Sequence, residues 1–129
     1  MRLIAILTFC ALFVPGAAQA QQLIGSYYTT LGPQDHYNSS GVRLTDFGAI
    51  LQQDRANVHR FGRADASDQR DPIFGSRENR SRIPSIWTLG ASGGGLPAYV
   101  ASGGISYVYI EIYGFGNTPQ YIVVHQGAG

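Results

Sequence analysis

Ile105-Ser106-Tyr107-Val108-Tyr109-Ile110-Glu111-Ile112-Tyr113, returned by Gln120-Tyr121-Ile122-Val123-Val124-His125-Gln126, is the stretch that decides the fold. Val108, Ile110 and Ile112 fall on one face of an extended chain. Tyr107, Tyr109, Glu111 and Tyr113 fall on the other, the period-two pattern of a strand with one apolar face. Gly114 and Pro119 bracket a connection, so the two segments read as a hairpin with a loop of about five residues. Aliphatic matching places Ile112 opposite Ile122 and Ile110 opposite Val124. A slip of one residue would invert the faces of the return strand, so this register also puts Tyr121 and His125 beside the tyrosines.

Upstream of the hairpin the composition changes. Every Arg except Arg2 lies between Arg43 and Arg82, and seven of the eight acids lie between Asp35 and Glu78; from Ile83 onward the only formal charge is Glu111. A charged, helix-prone block followed by a β-prone block reads as α+β rather than alternating α/β. Leu23 to Leu31, with Ile24, Tyr27, Tyr28, Thr29 and Thr30, favours a strand. Gly32-Pro33 stops it, and Gly32 to Gly41 is rich in turn residues. Thr45 or Asp46 caps a helix predicted to reach Phe61 and to end at Gly62. On that helix Phe47, Ile50, Leu51, Val58 and Phe61 form one apolar stripe. A second helix is predicted from Ser76, with Glu78 in its first turn, ending before Pro84. Leu96 to Ser102 forms a short helical segment with Pro97 at its first position and Gly103-Gly104 closing it. The expected fold is therefore α+β: a small antiparallel sheet, made of the N-terminal strand and the C-terminal hairpin, packed against two or three helices.

Residues 1–20 read as a signal peptide of the bacterial type. Arg2 supplies the positive end, Leu3 to Val14 is apolar apart from Thr8, and Ala18-Gln19-Ala20 is the small-x-small pattern a signal peptidase cuts after. The apolar run is shorter than the roughly 20 residues that span a bilayer as a helix. Cys10, inside that run and preceded by Phe9, does not fit a lipidation site. Residues 21–129 are then one mature domain without cysteine, which must fold on its core alone, soluble and exported to the periplasm or the exterior.

The mature segment carries eight Arg and eight acids and no Lys. That balance lacks the basic excess of a nucleic-acid binder, and no membrane contact is expected once the signal is removed. Arginine's planar fork suits bidentate contacts to carboxylate or phosphate; codon bias in a GC-rich genome yields the same composition.

Three constellations bear on chemistry. Gly90-Ala91-Ser92-Gly93-Gly94 matches the Gly-x-Ser-x-Gly elbow, and Glu111 and His125 follow in the order of a Ser…Glu…His triad. The chain is short for the doubly covered parallel sheet that such an elbow needs, so a glycine-rich loop is the competing reading. The same loop lacks the Lys and Ser/Thr of a phosphate-binding motif. His36, His59 and His125 are scattered, and Asp65, Asp68 and Asp71 recur at intervals that do not match a calcium loop. That segment reads as a self-neutralising Arg/Asp loop, and no metal or cofactor is expected. Asp54 falls inside the apolar stripe of the first helix, where a carboxylate needs a partner; an Arg from residues 60–82, or loop amides, are the expected partners, and Arg55 and His59 read as surface residues.

Tyr107, Tyr109, Glu111, Tyr113, Tyr121 and His125 form the most distinctive surface. Tyr joins a large apolar body to a polar tip and suits binding surfaces. Either another element covers this face and the tyrosines are core, or the face is open and takes an envelope protein, a peptide or a glycan. The function expected from the sequence is a non-catalytic extracytoplasmic binding module. The alternative is a small hydrolase acting on envelope polymers through Ser92, Glu111 and His125. On export, cleavage between Ala20 and Gln21 is expected, and intact-mass measurement of the exported protein checks it; recovery of the uncleaved chain alone would overturn the assignment.

Overall fold

The computed structural model describes residues 20–127 together with Gly16. The expected signal segment lies outside the described residues except for Gly16 and Ala20; Ala20 and Gln21 are exposed just before the first strand. In chain order the elements are β1 (Gln22–Leu31), α1 (Phe47–Ala56), α2 (Arg77–Ile86), β2 (Trp87–Leu89), α3 (Leu96–Ala101), β3 (Ser106–Phe115) and β4 (Thr118–Gln126). The α+β class is as the sequence indicates. β3 and β4 form the hairpin, with Ile112 opposite Ile122 and Ile110 opposite Val124. β1 lies antiparallel on the other side of β3.

The sheet is not purely antiparallel. Its order is β1-β3-β4-β2, and β2 runs parallel to β4, pairing Trp87 with Ile122 and Leu89 with Val124. A strand of three residues has no periodicity to read, and tertiary pairing alone creates it. The hairpin loop is also shorter than expected. Gly116 and Asn117 make a two-residue turn, with positive φ (56°) only at Gly116, the position where a type II′ turn places glycine. Gly114 pairs with Pro119 inside the ladder, beside a register shift that absorbs Gln120. Residues that look like loop punctuation are thus paired strand residues at a bulge.

Among the described residues, helices pack on one face of the sheet only. The core joins Tyr27, Leu31, Val108, Ile110, Ile112, Ile122 and Val124 of the sheet to Phe47, Ile50 and Leu51 of α1, Ile83 of α2, and Leu96 and Val100 of α3. Asp46 caps α1, accepting from the Ala49 amide. The helical path continues past Ala56 as a π turn, Asn57–Phe61, and ends at Gly62 (φ 62°). The wider turn rotates the following side chains, so Phe61, expected on the core stripe, is only half buried. Ser76 caps α2 and Glu78 sits in its first turn. That helix passes through Pro84 to Ile86 rather than ending before it. A proline removes one hydrogen bond; burial of Ile83, with Ile86 and Trp87 packed beside it, holds the last turn.

The polar interior is organised around Arg55, whose side chain is fully buried. Its Nε donates to Asp54 Oδ2 (2.8 Å), and Nη1 donates to Gln69 O (2.8 Å) and Asp71 Oδ1 (3.0 Å). Its Nη2 donates to Thr29 Oγ1 (3.0 Å), and Thr29 donates in turn to Asp54 Oδ1 (2.7 Å). The guanidinium lies 3.8 Å from the centroid of the Tyr27 ring. Asp71 also accepts from His59 Nε2 (2.7 Å) and from the amides of Ile73 and Phe74. Burial works to raise the Asp71 carboxyl, but His59, the Phe74 amide, Arg55 and the Ile73 amide outweigh it and hold it below its usual range.

Three expectations are therefore corrected. Asp54 is buried and paired, but its partner is the adjacent Arg55, not an Arg from residues 60–82. Arg55 and His59 are interior residues, because the 69–71 segment folds over them and supplies acceptors. That segment is not a self-neutralising solvent loop either. Asp68 Oδ1 accepts from the Thr30 amide, Gln69 Oε1 accepts from the Tyr28 amide, and the Gln69 amide donates to Tyr28 O, which closes the free edge of β1.

A third carboxyl, Asp35, is buried in a 3-10 turn (Pro33–His36) and accepts from Asn57 Nδ2 and the Gly32 amide. Burial, then the charge of Asp54, push it up to about 8 against those two hydrogen bonds. Next to Asp35, His36 sets its two ring nitrogens against Gly32 O (2.7 Å) and Val100 O (3.0 Å), fastening this turn to α3.

Asp54→Ala strands Arg55 in the interior and is expected to cost about 3–5 kcal/mol, with Asp54→Asn costing less because it keeps an acceptor. Urea midpoints of the two variants check this; an unchanged midpoint in Asp54→Ala would refute the buried pair.

Candidate functional site

The second face of the sheet carries the residues singled out by alternation. β3 contributes Tyr107, Tyr109, Glu111 and Tyr113, and β4 contributes Tyr121 and His125, all of them half exposed, while Val108, Ile110, Ile112, Ile122 and Val124 on the opposite face are buried. Among the described residues no helix packs on this face, so the covered alternative does not hold for them. The sequence reading missed the contribution of β1. Tyr28 is opposite Tyr109, Ser26 opposite Glu111, and Leu23 opposite Tyr113. Tyr28 and Leu23 are among the most exposed large apolar side chains. The period-two pattern of β1 held the signal, but which of its faces joined the tyrosines depended on its register with β3.

The rings are organised as stacks. Tyr28 stacks on Tyr107 (centroids 5.5 Å apart, planes 13° apart) and lies against Tyr109 (4.7 Å). Tyr109 stacks on His125 (6.0 Å), and Tyr113 stacks on Tyr121 (4.9 Å, 8°). At the centre Glu111 accepts through Oε1 from His125 Nε2 (2.6 Å) and through Oε2 from the Tyr113 hydroxyl (3.0 Å). That hydrogen bond holds the Tyr113 phenol above its usual value. Because ring faces are spent on one another, the surface offers ring edges and hydroxyls, a flat amphipathic mosaic with one carboxylate in its middle.

Ser92, Glu111 and His125 come together only in part. Glu111 and His125 are bonded, as above. His125 also lies against Gly90, where a methyl group would collide with its ring. Ser92 stands two residues further on, exposed in the turn between β2 and α3, and its side chain makes no hydrogen bond to either partner. Among the described residues no group of three or more His, Cys, Asp or Glu is placed to hold a metal ion.

The two faces of β3 are expected to respond differently to truncation. Ile110 is wholly buried, and Ile110→Ala should lose about 2–5 kcal/mol. Tyr109→Ala gives up stacking and partial burial only, about 1–2 kcal/mol. Denaturation curves of the two variants check this, and equal large losses would mean that the tyrosine face is covered. No protein-family model, no curated protein and no solved structure matches this chain, so a reading of its function rests on the geometry of this face.

Proposed function

We propose that this is an exported, non-catalytic binding module that engages a protein partner through the tyrosine face of its sheet. The observation that carries the reading is the open, pre-stacked row of Tyr107, Tyr28, Tyr109 and His125 beside the Tyr113–Tyr121 pair. Rings already locked by stacking lose little side-chain entropy on association, and tyrosine is enriched at protein interfaces for that reason. Ring faces turned towards one another leave little for a sugar to stack on, so a protein surface fits better than a glycan. Glu111 and His125, bonded to each other at the centre, supply a polar anchor within an otherwise aromatic patch.

A photo-crosslinking residue placed at Tyr28, Tyr109 or Tyr121 in the exporting cell tests the reading. The expected outcome is a discrete protein adduct from these positions and none from Ser85, exposed on the helical layer. Equal yields from Ser85, or no adduct at the face positions, would overturn it. One observation favours a second reading, a serine hydrolase: the Glu111–His125 pair abuts Gly90, two residues from Ser92. A fluorophosphonate probe that labels wild type and not Ser92→Ala would establish it in place of the first.

A further inference from the structure

We propose that the groove between α1, its π turn and α2 is a second site, which binds the phosphoryl group of an anionic ligand through Arg60, Arg77 and Arg80. The groove has a volume of about 360 Å³, room for more than a bare anion, and no acidic residue lines it. It lies in the helical layer, with the sheet between it and the tyrosine face, and does not depend on the function proposed for that face.

Three guanidinium groups converge here without a counter-charge. Among the described residues none of the three makes an ion pair, although the chain as a whole is nearly neutral. The acids closest in sequence are engaged elsewhere. Asp54 and Asp71 serve Arg55, Asp65 accepts from Gln34, and Glu78 pairs with Arg82. Arg80 is anchored: its Nη1 donates to Phe74 O (2.9 Å) and Gly75 O (3.0 Å), which leaves Nε and Nη2 unspent. Burial first, and then the charges of Arg60 and Arg77, hold the Arg80 guanidinium below its usual value against the smaller opposing effect of Asp71. Arg60 lies 4.9 Å over the Phe61 ring, which limits its freedom. Both residues belong to the π turn, a departure from helical geometry that recurs at functional sites. Gln52 and Asn38 add polar atoms to the wall.

Phosphate fits this arrangement better than carboxylate. Three guanidinium groups, Arg60 from the π turn and Arg77 and Arg80 from one end of α2, offer more donors than the two coplanar oxygens of a carboxylate can use, whereas a tetrahedral dianion presents three or more oxygens. The phosphoryl group can belong to a small soluble ester or to a lipid headgroup.

Inorganic phosphate titrated into the full-length mature protein tests the site, with sodium chloride at matched ionic strength as control. Phosphate is expected to raise the melting temperature where chloride does not. Arg60→Ala and Arg77→Ala should each weaken phosphate binding by about tenfold in calorimetry. Arg77→Ala without phosphate should melt no lower than wild type, because removing one of three like charges relieves repulsion; a merely structural arginine would give a lower value. Sedimentation with phosphatidylglycerol vesicles, displaced by inorganic phosphate, assigns the ligand to a headgroup; phosphate binding without sedimentation assigns it to a soluble ester. A phosphate response no larger than that of chloride, or an unchanged response in both variants, overturns the proposal.

Discussion

A guanidinium with no access to solvent holds this domain in register. Arg55 bonds at once to its neighbour Asp54, to Thr29 on β1, and to Gln69 O and Asp71 beyond the π turn. A buried ion pair is no bargain in free energy against well-packed apolar side chains, since desolvation consumes much of the attraction. What it supplies is specificity. Four hydrogen bonds from one planar fork leave a single way for α1, β1 and the 69–71 segment to meet. A shifted β1 would leave Arg55 and Asp54 without Thr29, and buried charges do not tolerate that.

From this constraint the two surfaces follow. Fixing β1 against β3 brings Tyr28 opposite Tyr109 and completes the stacked row; a slip of one residue would have sent Tyr27 there instead. Tyr27 is needed on the inner side, where its ring underlies Arg55 and meets Phe74 edge-on, although its buried hydroxyl finds no partner. The helices all lie on that inner side, so the sheet keeps one aromatic face uncovered by them. Edge protection by Asp68 and Gln69 matters for the same reason: a sheet with an open aromatic face and a bare edge strand would invite strand addition as well as face-to-face contact.

The helical layer shows a complementary economy of charge. Carboxylates are drawn inward to Arg55 and His59 or outward to caps and surface pairs. The π turn then takes Phe61 out of the core stripe, and Arg60 lines the same groove as Arg77 and Arg80. A nearly neutral chain thereby acquires a locally cationic groove, which net charge conceals.

The sequence by itself determined the elements whose signal is local. Alternation in 105–113 and 120–126 set the hairpin, its faces and its register, because period-two burial penalises every slip. Asp46 and Ser76 marked helix starts, since a cap acts within three residues of itself. The position of Asp54 in an apolar stripe announced a buried partner. Tertiary structure decided what depends on distant chain. It selected Arg55 rather than a later Arg, because the acceptors that satisfy its other donors come from residues 29, 69 and 71. It made a strand of Trp87–Leu89, carried α2 through Pro84, and turned Gly114 and Pro119 into ladder residues, each through packing that no local propensity encodes. The tyrosine face was legible as a face. Whether a helix covered it, and whether Ser92 met His125, were questions of where separate elements come to rest, and long-range contacts answer those.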